Sequence, residues 1–297
     1  MLHLGEFAAL GAALCWTTGS MSFEFAGKRV GSLSVNLIRM VSGVLLLSIF
    51  TYFTRGKFLP TDASLHSWIW LSLSGLIGYG IGDLLLFEAF VVVGARISML
   101  IMSSVPIFTA LISLVFLGET MSIIEISGMF LTLIGIVIVI LNRKKKDDSE
   151  EKKKKYLLGI LLAFGGSLGQ AIGLILSKFG MQDYNAFSAS QIRGFVGIIV
   201  FTILFMIFGK KKNLQKSFTN VKTMIAINVG AISGPFLGVS MSLLAVQNTK
   251  AGVASTIMAI VPLLIIPPAI IFFKEEVNLI EIVGAVIAVF GVVLFFV

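Results

Sequence analysis

The sequence predicts an all-α polytopic membrane protein, with ten transmembrane helices in two inverted five-helix repeats. Three observations predict it: the composition, ten long apolar runs, and an internal repeat. Of the 297 residues, 57% are hydrophobic and 13% charged, about half the charged fraction of a soluble domain. Mean hydropathy is +1.01, so a water-soluble fold is excluded. Cys15 is the single cysteine, which excludes a disulfide framework. The net charge of +8 does not indicate nucleic acid. The Lys and Arg lie between apolar runs, where they set membrane orientation.

A span needs about 20 mostly apolar residues. Ten segments qualify: 4–25, 34–54, 68–91, 97–117, 123–141, 156–177, 186–208, 223–246, 251–273 and 278–297. The first is read as a helix rather than a signal peptide. No Lys or Arg precedes it, it is longer than an h-region, and no A-x-A-like site follows. The connections Gly94-Ala95-Arg96 and Gly118-Glu119-Thr120 leave room only for antiparallel neighbours. Residues 142–155 carry eight basic and four acidic side chains and read as a solvated linker. They divide the chain into a first repeat, 1–141, and a second, 156–297.

The halves match residue by residue. A shift of 154 brings Gly11 onto Gly165, Arg39 onto Arg193 and Gly43 onto Gly197. A shift of 156 brings Gly78 onto Gly234, Met102 onto Met258, Pro106 onto Pro262, Glu125 onto Glu281 and Gly135 onto Gly291. The loop between the second and third helices of each unit absorbs the difference. Five helices per unit is an odd number, so the second unit starts on the opposite face and the repeats are inverted. Such repeats mark secondary transporters, whose substrate site lies near the midplane between them.

Ionisable residues inside spans are costly and carry a functional reading by default. Asp83 is the deepest acid, with Tyr79, Phe87 and Phe90 as its helical neighbours at i−4, i+4 and i+7. A carboxylate beside an aromatic strip can bind an ammonium group or carry a coupling proton; the plain alternative is a packed Asp satisfied by hydroxyls. Its repeat mate is Val239, so scaffold symmetry does not demand the charge. Glu88 is a further, weaker candidate for substrate binding or coupling; it lies near its span end, where the plain alternative is snorkelling or pairing with Arg96. Glu24 has Lys28 four residues on, the spacing of a local ion pair. Arg39 and Arg193 lie about 8 Å into their spans at about 1.5 Å per residue. Inversion predicts them at opposite faces, as gates, as anion anchors, or snorkelling to headgroups. Gln170 aligns with Trp16, and the two are expected to face the centre. Glu125 and Glu281 open helices, where a carboxylate offsets the dipole. Pro106 and Pro262 fall near mid-span as candidate hinges. Pro267 and Pro268 have no counterparts in the first half, so the halves are expected to differ most there.

The chain resembles the EamA-type, ten-helix members of the drug/metabolite transporter superfamily. The resemblance rests on Ala89, Pro106, Leu117-Gly118-Glu119, Gly128 and Gly135, repeated as Ala245, Pro262, Glu275, Gly284 and Gly291. It departs at Phe273-Lys274-Glu275, where Leu-Gly-Glu is expected. The resemblance implies a carrier of a small polar solute such as an amino acid, working as an exporter by alternating access. It also leaves open nucleotide-sugar or lipid-linked-sugar translocation, and a channel is a further alternative. Seventeen Lys and Arg fall on the linker side and four on the other, which places the linker in the cytoplasm and the termini outside the cell membrane. The family resemblance pulls the other way, towards cytoplasmic termini.

Gly80-Ile81-Gly82-Asp83 reads as G-x-G-D, similar to intramembrane aspartyl proteases, but their proton-sharing dyad needs a second Asp. Asp62, Asp147, Asp148 and Asp183 all fall in predicted loops. No zinc, nucleophile-elbow or phosphate-loop motif occurs, so neither an enzyme nor a cofactor is expected. The expected partners are a small polar solute and the lipid bilayer, with a proton as the candidate coupling ion. Five plus five helices can enclose a cavity as a monomer, and a homodimer is equally compatible.

Overall fold

The computed structural model describes residues 4–117, 122–144, 149–248, 257–258 and 260–295. Every regular element among them is helical. In chain order these are α1 (Leu4–Val30), α2 (Ser32–Arg55) and α3 (Leu65–Val92), then α4 (Ala95–Met102), α5 (Val105–Leu117) and α6 (Ile123–Lys144). The second half holds α7 (Glu150–Met181), α8 (Ala186–Phe208), α9 (Lys211–Thr219), α10 (221–248), α11 (Val261–Phe273) and α12 (Leu279–Phe295). Seven of the described helices are long and apolar enough to cross a membrane. Of the three remaining expected spans, α1 is long enough, but its Thr, Ser, Gly and Glu residues lower its hydropathy. The other two, Val261–Phe273 and Leu279–Leu294, are apolar but shorter.

Contacts between the halves obey a two-fold relation. Helix α1 packs on α10 as α7 packs on α3, while α2 pairs with α8 and α6 with α12. The register shows that partners run antiparallel. A Cβ on Gly19 would meet Ser233, whereas one on Gly230 would meet Phe23. Across α3 and α7, Gly169 lies against Gly82 and Gly173 against Gly78. Across α6 and α12, Gly135 lies against Gly284 and Ala288, and Gly291 against Gly128 and Thr132. The axis is therefore perpendicular to the helices, in the membrane plane, and the repeats are inverted. Gly and Ala at the crossings let backbones touch, since packing rather than the hydrophobic effect holds helices together in lipid.

Helix α3 is not uniform. Leu65–Ser74 is α-helical, Gly75–Gly82 is π-helical, and α-helix resumes at Asp83. Helix α10 repeats this with a π segment at Ile232–Gly238. The two segments occupy equivalent positions in the repeats, and π turns gather at functional sites. The prolines act beside breaks rather than as smooth kinks. The fourth span unwinds at Ser103 and Ser104, and Pro106 sits in the first turn of α5. There its missing N–H costs nothing. Pro262 likewise opens the helix after a turn at Ile260. A second break at Ile265 precedes Pro267 and Pro268, so α11 is more fragmented than α5.

The linker is more helical than a solvated loop. Helix α6 runs on to Lys144, and α7 begins at Glu150, where Ser149 caps it by accepting from Lys152 N. With four Lys and two Glu on a helix already nucleated by its apolar part, this first stretch can stay wound while exposed to water. Residues 145–148 lie outside the described residues, as do Gly118 and Glu119 of the family motif. Outward-facing residues such as Phe53, Ile123, Met206 and Phe272 are at least three-quarters exposed, forming the apolar surface a bilayer covers.

Candidate functional site

A cavity of about 230 Å³ lies on the two-fold axis. Its wall draws on α1, α3, α7 and α10, completed by α2, α4, α5, α8, the turn preceding α11, and α11 itself. Matched positions from both halves face it: Trp16 and Gln170, Arg39 and Arg193, Pro106 and Pro262. Tyr79 and Asp83 also line it, opposite their mates Pro235 and Val239. Of the residues singled out in the sequence, Glu88 is absent from the wall, as are Glu24, Glu125 and Glu281.

Asp83 sits where the π segment of α3 ends and is 5% exposed. One of its oxygens forms an ion pair with Arg39. The other accepts from Gln170 Nε2 at 2.6 Å, and the same nitrogen donates to Gly78 O at 3.2 Å. Arg39 Nε donates to Asn36 Oδ1 at 2.8 Å, and its guanidinium lies 4.1 Å from the Phe87 ring centroid. A carboxylate here is tolerable because it is paired and both oxygens are bonded. The partners are a guanidinium and an amide, not the Ser or Thr hydroxyls of the plain alternative. Gly82 makes the Gln170 contact possible, since a Cβ there would press on Gln170 N at 3.3 Å.

Arg193 belongs to α8, whose backbone touches the π segment. A Cβ on Gly75 would stand 2.6 Å from Arg193 O. The guanidinium lies over the Tyr79 ring, 4.6 Å from its centroid. The expectation that Arg39 and Arg193 occupy opposite faces is corrected here: both reach one cavity. Because α2 and α8 cross antiparallel in direct contact, mates near the crossing come together, and a long side chain spans the remaining depth.

At the linker-side end, a second charged group joins the two repeats. Arg96 is 5% exposed and bonds Glu281 Oε2 at 2.6 Å and Glu275 Oε2 at 2.8 Å. These bonds join α4 of the first repeat to the α11–α12 connection, through Glu275, and to the first turn of α12, through Glu281. Close by, Glu24 accepts from Ala95 N at 2.6 Å and pairs with Lys28, the local pair expected from the spacing. Glu88 does not pair with Arg96. It accepts from Ser32 Oγ at 2.6 Å, fastening α3 to the start of α2. Sequence reasoning placed Arg96 in a short loop and Glu281 at a helix start, so the network was missed. The available signal was that Arg96 and Glu275 fall on the same side of the membrane. Glu125 follows its structural reading as half of a capping box with Ser122.

With this geometry in place, the comparisons with known proteins are decisive for the family. The model of the EamA-like transporter family matches residues 3–141 and again residues 157–297. The chain belongs to the EamA-like transporter family. It is therefore a multi-pass membrane transport protein, and the EamA repeat accounts for the two-fold wall of the cavity. A solved crystal structure, 16% identical, matches with a TM-score of 0.66 over 98% of this chain and 95% of its own. At that identity the likeness is one of fold. No curated protein matches the chain. The EamA family consists of transporters rather than enzymes. Among the described residues, Asp83 is the one carboxylate lining the cavity, and no cluster of metal-ligating side chains occurs.

Proposed function

We propose that the protein is a secondary carrier that exports a small polar metabolite, such as an amino acid, across the cell membrane by alternating access. The observation that carries this is the cavity on the axis of two inverted repeats, walled by matched residues from both. Rocking one repeat against the other about such a site is how inverted-repeat carriers expose it to each side in turn. The Arg96–Glu275–Glu281 bonds tie the repeats together at the linker end, as a closed gate would. Export follows the resemblance to metabolite exporters. A cavity of about 230 Å³ lies just below the roughly 300–1,000 Å³ of drug-sized ligand sites. That favours a small metabolite over a nucleotide sugar or a lipid-linked sugar, and the gate argues against a channel. Asp83 is the candidate for carrying a coupling proton, since protonation would release Arg39. One chain encloses the cavity, so a monomer suffices, and a homodimer would hold two such sites.

Counterflow in proteoliposomes tests the reading. A carrier loaded inside with an unlabelled small solute, tried as an amino acid and as a simple carboxylic acid, should draw in the same labelled solute above equilibrium, and the rate should saturate. Flux that rises linearly with concentration and shows no counterflow would return the protein to the channel class.

A further inference from the structure

The cavity also defines the charge of its cargo, and this inference deepens the carrier reading and rests on it. The repeat that gives each arginine a mate does not give each a partner. Arg39 is bound to Asp83, but the mate of Asp83 is Val239, so the repeat supplies no second carboxylate for Arg193. Arg193 is 4% exposed. Its Nε bonds nothing, and among the described residues its guanidinium enters no ion pair. The Tyr79 hydroxyl beside it is buried and equally without a partner. A guanidinium keeps its charge even when buried. Arg39, Asp83 and Arg193 are the charged residues of the wall, so it carries one uncompensated positive charge and an idle hydroxyl donor.

We propose that Arg193 and the Tyr79 hydroxyl form an anion subsite, and that the cargo is a small monocarboxylate with an apolar body. Its carboxylate lies against Arg193 as that of Asp83 lies against Arg39. The planar guanidinium fork fits a carboxylate. One unpaired cation matches one negative charge, whereas a phosphate dianion would leave a net charge in a site screened from water. The rest of the wall is mostly apolar, with Trp16, Phe23, Phe90, Met99 and Met102 set among Leu, Val and Pro, and suits an apolar body. Both oxygens of Asp83 are already engaged, so the ammonium of a zwitterion finds no free carboxylate. Among small polar metabolites this singles out acids without an amino group.

The test uses purified full-length protein melted with 3-phenylpropionate, its neutral amide, or phenylalanine. The acid is expected to raise the melting temperature and the other two are not. Arg193→Gln, recovered monodisperse, should bind the acid at least about tenfold more weakly, about 1.4 kcal/mol. Arg193→Lys should retain part of the binding, and Tyr79→Phe should weaken it several-fold. These last two variants keep the proposal testable should the Gln variant fail to fold. No shift with the acid, an equal shift with the amide or with phenylalanine, or unchanged acid binding by folded Arg193→Gln would each overturn the proposal. An acid that binds in this way but shows no counterflow would instead strike the carrier reading and leave the subsite standing.

Discussion

Arg39 and Asp83 are a buried pair, and each protects the protein from the other's charge. Removing one partner of such a pair costs about 3–5 kcal/mol, because the survivor is left charged and dry. Arg39→Gln should therefore lower the melting temperature sharply, and adding Asp83→Asn should recover most of the loss. Additive losses in the double variant would show that the pair is not coupled. The same carboxylate divides two transport readings. If Asp83 carries the coupling proton, Asp83→Asn should abolish proton-driven accumulation yet keep exchange, whereas a binding role predicts that both fall. Normal transport by the variant would return Asp83 to packing. Outside the membrane, Asp62 offers a pH test. Partial burial raises its pKa, but bonds from Tyr184, Lys57 and Arg55 outweigh this and hold it at about 2. A folded pKa below the unfolded value of about 3.9 stabilises above that value and is lost as pH falls through 2. Wild-type protein should lose thermal stability between about pH 4 and pH 2 in part through this group, and Asp62→Asn should lack that component.

At the scale of elements, the helices were largely legible because apolar runs and repeat offsets survive in one dimension. Their irregularities were not. The π segments coincide with the glycines of Gly75–Gly82 and with Gly234, Pro235 and Gly238, but such residues alone do not say how many residues a turn will hold. The site was legible in part for the same reason: polar residues in apolar spans stand out, and repeat mates such as Trp16 and Gln170 predict a shared wall. Their partners did not stand out, since pairing Arg39 with Asp83 requires the crossing of α2 and α3 in space. Arg96 was hidden by lying next to a loop, where a charge carries no surprise. Helix contacts themselves are testable. A Cβ on Gly173 would stand 2.9 Å from Gly78 Cα, which is backbone and cannot step aside. Gly173→Leu should destabilise the fold by at least about 1–3 kcal/mol, whereas Gly56→Ala, where nothing lies within 4 Å, should cost only the strain of its positive φ.

For the whole molecule, the proposed gate at the linker end rests on Arg96. Arg96→Ala removes the bonds that span the repeats and should favour the state open on that side. In a Cys15→Ser background, a cysteine placed at Ser103 should then react faster with a thiol reagent added from the linker side. Equal rates would mean that the network serves stability alone. Which compartment that side faces has its own measurement. Cysteines in 149–155 should label with an impermeant reagent only after cells are broken, given the skew of Lys and Arg across the loops. Labelling of intact cells would reverse the orientation.

The seam between α6 and α12 has a consequence for movement. Neither helix contributes to the cavity wall, yet a Cβ on Gly135 would lie 2.4 Å from Ala288 N, and one on Gly291 2.4 Å from Thr132 N. Two backbones in such contact cannot slide past each other without lifting apart. On the proposed alternating-access cycle, the repeats then swing about this edge, as pages turn about a spine. Stapling the spine with a cross-link from Thr132→Cys to Ala288→Cys should leave turnover intact, while the same staple across the cavity would stop it.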